Sequence, residues 1–196
     1  MKVVGITGSI GTGKSTVAKK IVDLGYNVVD CDKIGHTMLN KNRLGYKRVL
    51  TEFGSDILDD FGHIDRKKLG SLVFSDEKRR EKLNQILHPL IKEQVRKEIN
   101  KSSDEIVFIE CPLLFETDFS ELCDYTIVVY VDSNTQILRV MQRDKVDFPT
   151  ALKKINAQMP LDKKVSLANF VIDNCHRESD LDWQIKQILF RLEEEF

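Results

Sequence analysis

The sequence predicts an α/β fold: a parallel sheet of five short strands, covered by helices, with a phosphate-binding loop at its first turn. Three observations predict it. Apolar, β-branched runs recur at residues 2–7, 27–30, 105–110, 125–131 and 170–174. They are continuous rather than alternating, which is the pattern of strands buried on both faces. Helical segments separate them, implying right-handed βαβ crossovers. The glycine-rich run "GSIGTGKST" at 8–16 joins the first strand to the first helix.

That run fits G-x-x-x-x-G-K-[ST], with Gly8, Gly13, Lys14 and Ser15 at the fixed positions. Glycines let the backbone curl so that successive N–H groups point at an anion. The helix behind adds unpaired N–H groups and the positive end of its dipole. Lys14 is expected to reach the β- and γ-phosphates of a nucleotide, and the Ser15 hydroxyl to ligate Mg²⁺. Lys14 is read as an exposed loop lysine whose removal spares the fold. A nucleoside-triphosphate-binding P-loop fold of three layers follows.

The rest of the chain supports this frame. "NVVD" at 27–30 is the second strand. The long gap after it is helical, with Leu83, Ile86, Leu87, Leu90, Ile91, Val95 and Ile99 in an i, i+3, i+4 rhythm. Pro89 is expected to kink or restart that helix near His88. "ILDDFGHID" at 57–65 reads as a turn, with a helix starting at Arg66. The last helix should open on a capping box of Ser179 and Asp182, and "EEEF" at its end should be a solvated tail.

Composition narrows the function. The 196 residues form one domain with room for a small insertion, and the net charge of −1 suggests neither a nucleic-acid nor a membrane surface. The chain enters a strand at once, so no signal peptide is expected, and no apolar run reaches membrane-spanning length. Cys31, Cys111, Cys123 and Cys175 are scattered, with no C-x-x-C pair. They are expected to be buried, reduced thiols of a cytoplasmic protein rather than a zinc or redox site.

A phosphate loop names the ligand and leaves the reaction open. A GTPase would read guanine with N-K-x-D, but "NKNR" at 40–43 lacks the aspartate, and "DKIG" at 32–35 lies too close behind the first helix. A motor or assembly ATPase would end a strand in an Asp-Glu pair, where "IVFIEC" offers only Glu110. A small-molecule or nucleotide kinase needs a carboxylate near the acceptor and a mobile lid bearing arginines. Both have candidates. Asp32, in "VVDCD", follows the second strand, at the edge where open parallel sheets bind ligands. It reads equally as a base for an attacking hydroxyl or as the cap of a helix beginning at Lys33. The lid candidate spans 139–159, with Arg139 and Arg143 one turn apart on one face. Held beside phosphate they would neutralise developing charge. Without the phosphate loop, they would read more readily as a solvated basic helix.

The motifs "GITGSIGTGKSTVA", "VVDCDKIGH", "DDFGHIDRKKLGSLVF", "LHPLI", "ECPLLFE", "RDKVDFPTALKKINAQMP" and "FVIDN", in this order, resemble the dephospho-coenzyme A kinase family over nearly the whole chain. The resemblance implies a core of about 1–34, 101–138 and 160–196, a helical coenzyme-side insertion of about 35–100, and a lid of about 139–159. It implies transfer of the ATP γ-phosphoryl to the ribose 3′-hydroxyl of dephospho-coenzyme A; a monomer is expected only as the default. Carried over by residue, Gly11, Thr12, Gly13, Lys14, Ser15 and Thr16 hold ATP phosphates, with Mg²⁺ on Ser15. Asp32 takes the position of the suspected base and Arg143 that of the lid arginine. His88 is a candidate substrate contact, or a packing histidine at a kink. Two positions depart from the family: His36 stands near a common arginine, and Lys154 replaces the arginine of an Arg-Ile pair, keeping charge but losing bidentate geometry.

Overall fold

The computed structural model describes residues 1–74, 76–175 and 178–194. Strands β1 (Lys2–Thr7), β2 (Asn27–Asp30), β3 (Ile106–Glu110), β4 (Tyr125–Tyr130) and β5 (Phe170–Asp173) form one parallel sheet in the order β2-β3-β1-β4-β5. The strand that feeds the phosphate loop is therefore central. Register sets Ile6 and Asp30 on either side of Glu110, and Thr7 beside Val128, so the strand ends emerge on one edge. Every residue of β3 is buried, whereas β2 and β5 each bury one. Continuous apolar runs thus predict burial well at the centre and overstate it at the edges, where a strand lacks a flanking neighbour.

The chain falls into two compact units, Met1–Asp30 with Ser102–Phe196, and Cys31–Lys101. In the first, Val4, Ile6, Phe108, Ile127, Val129 and Ile172 pack on α1 (Lys14–Asp23) and α9 (Glu178–Glu194) through Val17, Ile21, Leu181, Ile185 and Leu192. Alternate strand residues face these helices, because side chains reverse sides at each step. Ile6 is fully buried, and truncating such a residue to alanine costs ~2–5 kcal/mol. On the other face, a Cβ at Gly5 would stand 2.7 Å from Leu114 and 2.8 Å from Cys123, so the chain after β3 lies directly on the central strand.

Three more helices belong to this unit: α6 (Ser133–Asp144), α7 (Phe148–Asn156) and α8 (Leu161–Leu167). "DKVDFPT" is a helix stop followed by a start. Lys145 ends α6 in the left-handed region at φ 53°, and Asp147 caps α7 by accepting from the Thr150 N–H at 3.0 Å.

The second unit holds α2 (Cys31–Met38), α3 (Leu44–Phe53), α4 (Arg66–Phe74) and α5 (Glu77–Lys101). Val49, Ile57, Ile64 and Leu69 form its small core, with Leu83, Ile86 and Leu87 of α5 packed against it. The expected turn at 57–65 is present. Asp59 Oδ1 accepts from the N–H groups of Phe61 and His63, and Asp65 Oδ1 from that of Lys67, at the start of α4.

Three expectations are corrected. First, α5 continues for 25 residues through Pro89, so the helix does not restart there. Apolar anchors on both sides, Leu87 before it and the buried Val95 and Ile99 after it, hold one helix together despite the lost hydrogen bond. Second, α2 begins at Cys31, so Asp32 lies inside the first turn rather than capping from outside; the 5% exposed Cys31 draws the helix start inward. Third, α9 begins at Glu178, which places Ser179 within the helix instead of at its cap. Of the expected tail, Glu193 and Glu194 still belong to α9, and Glu195 and Phe196 lie outside the described residues. The four thiols are free, but only Cys31 and Cys111 are buried, Cys123 and Cys175 being half-buried. Burial pushes the Cys123 thiol up to about 12.

Candidate active site

The loop between β1 and α1 owes its shape to its glycines. Gly11 and Gly13 sit at φ 83° and 86°, where a side chain is strained, and a Cβ on Gly13 would collide with the Asn174 amide nitrogen. Gly8 leaves equally little room: a Cβ there would stand 2.6 Å from Thr12 Oγ1. Thr12 is fully buried; its hydroxyl donates to Ser9 O at 3.0 Å, and its carbonyl accepts from Asn174 Nδ2 at 2.7 Å. Thr12 therefore closes the loop with its side chain.

The loop's amides divide into two sets. Ile10 N–H donates to Gln158, Thr12 N–H to Ser9 O, and the Thr16 and Val17 N–H groups to Gly13 O. Among the described residues, those of Gly8, Ser9, Gly11, Gly13, Lys14 and Ser15 have no such partner and are available to an anion. Thr16 is exposed in the first turn of α1.

Lys14 and Ser15 converge on one carboxylate oxygen. Glu110 Oε1 accepts from Lys14 Nζ at 2.6 Å and from Ser15 Oγ at 2.8 Å. This corrects the reading of Lys14 as an exposed lysine: its side chain is 12% exposed and that of Glu110 is 11%. The ion pair, formed between the start of α1 and the end of β3, draws Lys14 in.

The two predicted lid arginines have different surroundings. Arg139 Nη2 donates to Asn174 O at 3.0 Å, and its Nη1 lies 3.8 Å from where a Gly13 Cβ would be, so it borders the loop. Arg143 is 60% exposed and binds Asp144 through two nitrogens, at 2.7 and 3.3 Å. Lys154 reaches the same carboxylate from α7 at 2.6 Å. Hydrogen bonds from Arg143 and then Lys154 hold the Asp144 carboxyl down at about 2.

Asp32 and His88 belong to the second unit, on α2 and α5, which pack together; a Cβ on Gly35 would press Ile91 at 3.1 Å. Asp32 is in the first turn of α2, and His88 is half-buried beside Pro89.

Four residues were not foreseen in these roles: Glu110, Asn174, Gln136 and Gln158. Glu110 ends β3 and Asn174 follows β5, and strand ends of a parallel sheet are its ligand edge. Strand position was thus the signal for both. The glutamines act on loop backbone, which leaves no sequence pattern.

A central parallel strand, a glycine loop and a lysine and serine gathered on a strand-end glutamate define a P-loop kinase core. The family model described as dephospho-CoA kinase matches residues 2–180. A dephospho-CoA kinase of Listeria innocua is 38% identical over 195 residues, covering 98% of this chain and 96% of that one. The crystal structure of TT1252 from Thermus thermophilus superposes with a TM-score of 0.84 at 32% identity, covering 97% of each chain. Dephospho-CoA kinase from Campylobacter jejuni gives 0.73 at 28% identity, covering 98% of each. The chain belongs to the dephospho-CoA kinase family, and its activity is the ATP-dependent phosphorylation of dephospho-CoA in coenzyme A biosynthesis. Among the described residues no helix is long and apolar enough to cross a membrane.

Proposed function

We propose that the γ-phosphoryl passes to the ribose 3′-hydroxyl of dephospho-CoA with the nucleotide on residues 8–16 and the acceptor held by Asp32. The observation that carries the nucleotide half is the convergence of Lys14 and Ser15 on Glu110 at the strand edge. Lys14 turns from Glu110 to the β- and γ-phosphates, and the amides of Gly11, Gly13, Lys14 and Ser15 hold the rest of the triphosphate. Asp32 orients the hydroxyl and accepts its proton. Residues 35–100 serve as the coenzyme-side insertion, with His88 as a substrate contact. Residues 139–159 act as the lid: Arg139 already borders the loop, and Arg143 leaves Asp144 for the phosphates on closure, excluding water. Most of the acceleration comes from positioning and fixed charge, because phosphoryl transfer asks little covalent help of the protein.

The residues fit Mg²⁺. The Ser15 hydroxyl and the Glu110 carboxylate offer hard oxygen donors 2.8 Å apart, and the described residues hold no cluster of three or more His, Cys, Asp or Glu. That sparse set suits an ion that keeps several waters and is shared with phosphates. When bound there, Mg²⁺ supplies charge neutralisation. We further infer that the protein acts in the cytoplasm, a reading the four free thiols support, and that it is a monomer.

The test is a coupled ADP-release assay with dephospho-CoA, nucleoside monophosphates and shikimate as acceptors, with and without Mg²⁺. Turnover should require both dephospho-CoA and the metal, and the product should carry phosphate on the 3′-oxygen. Comparable turnover with another acceptor would overturn the assignment.

A further inference from the structure

Ile10, in the phosphate loop, is held from two directions. Its N–H donates to Gln158 Oε1 at 2.8 Å, and its carbonyl accepts from Gln136 Nε2 at 2.8 Å. Gln136 lies in the first turns of α6 and is 4% exposed; Gln158 lies just beyond α7. The chain between them therefore leaves and returns to one residue of the loop. Its returning end is fixed twice more. Met159 O accepts from Ser9 Oγ at 3.5 Å, and Met159 N–H donates to Glu116 Oε1 at 3.0 Å. Glu116 is held in turn by the fully buried Lys164, whose ammonium also donates to Pro112 O at 2.7 Å.

Both polar groups of Ile10 are thus spent inside the protein, and the amide of the next residue has no partner among the described residues. That residue, Gly11, sits at φ 83°, and a Cβ on it would press Val140 and Gln136 O of α6 at 2.8 and 3.0 Å. α6 and Gln158 thus both bear on the loop at Ile10 and Gly11.

We propose that Gln136 and Gln158 are positioning residues that set the register of the phosphate loop and couple it, through Ile10, to the segment 137–157. The coupling rests on the lid reading of that segment; the positioning of the loop does not. Neither glutamine need touch a substrate. Their loss should weaken the nucleotide side of the reaction and leave the acceptor side alone.

Gln158→Met tests this, because it keeps the length and bulk of the side chain, removes the acceptor, and changes a half-buried position. The Ile10 amide, read by NMR on isotope-labelled protein, should exchange with solvent about tenfold faster than in wild type, and KM for ATP should rise about three- to tenfold, the scale of one hydrogen bond. KM for dephospho-CoA should stay within about twofold and the melting temperature within about 2 °C, a split that general destabilisation does not produce. Wild-type Ile10 exchange with a wild-type KM for ATP overturns the proposal, as does an equal rise in both KM values. Proteolysis with and without a bisubstrate analogue judges the lid separately. If residues 137–157 are cut equally in both, the lid reading and the coupling fall, while the loop-positioning role still stands or falls on the KM split.

Discussion

Lys14 and Glu110 meet at 2.6 Å with both side chains nearly nine-tenths buried, and Ser15 shares the same carboxylate oxygen at 2.8 Å. The pair joins the first residue of α1 to the last of β3, so the phosphate loop and the sheet edge are one construction. Removing one partner of a buried pair strands the other charge, at ~3–5 kcal/mol. Glu110→Gln should therefore lower stability in urea and reduce turnover by ~100-fold or more, the scale of losing an electrostatic group from a reacting site. Lys14→Met should cost turnover several orders of magnitude. If either variant keeps kcat within about tenfold of wild type, equivalent to ~1.4 kcal/mol, the cluster is not the phosphate site.

Lys164 offers a test of structure apart from chemistry. It is fully buried and bound to Glu116 at 2.8 Å and to Pro112 O at 2.7 Å. Lys164→Met leaves Glu116 without its cation, and should cost ~3–5 kcal/mol in denaturant unfolding. Adding Glu116→Gln should recover part of that loss. A double variant no more stable than the single one would show that the ion pair is not what holds this corner.

Much of this was legible in the sequence, for reasons that differ by residue. The continuous runs at 2–7, 105–110 and 125–131 marked the central strands, because residues buried on both faces must be apolar throughout. The phosphate loop was legible because the positive φ of Gly11 and Gly13 admits few other residues. Helix starts were harder. Cys31 extends α2 backwards through burial, and α5 survives Pro89 through packing on both sides of it; neither cause is local in sequence. The Gln136 and Gln158 clamp was illegible, since it joins side chains 126 and 148 residues away to a backbone that any residue could supply.

Asp144 binds both Arg143 and Lys154, and their hydrogen bonds hold its carboxyl at about 2, below the ordinary value of 3.8. A depressed carboxylate stabilises the fold above its unfolded pKa and loses that contribution as pH falls through the folded one. The window here is about pH 4 down to about pH 2. Because Arg143 is mostly exposed, solvent screening keeps the contribution near ~0–1 kcal/mol. Asp144→Asn should lower the melting temperature slightly, by the same amount from about pH 5 to pH 9, and the difference should vanish near pH 2. A difference that changes between pH 6 and pH 8 would point to another group.

The acceptor side turns on Asp32. It stands in the first turn of α2, two residues after β2 ends at Asp30, and Asp30 pairs in register with Glu110. Its place inside the helix changes the competing explanation. A cap would be served equally well by asparagine, but a first-turn aspartate also interacts with the helix dipole, worth ~0.3–1 kcal/mol, and asparagine loses that. A purely structural Asp32 therefore predicts that Asp32→Asn melts slightly lower and keeps its activity. A base predicts the reverse emphasis: kcat falling by about 10² to 10⁴, the range of general-base catalysis. Nucleotide binding should stay near wild type, because this residue serves the acceptor hydroxyl rather than the triphosphate. Three measurements on one variant separate the readings: kcat with dephospho-CoA, the dissociation constant for ATP by calorimetry, and the melting temperature. A large loss of kcat with unchanged ATP affinity places Asp32 at the acceptor. Full activity with a lowered melting temperature removes it from the reaction, and Asp30 and Glu110 become the carboxylates to substitute next.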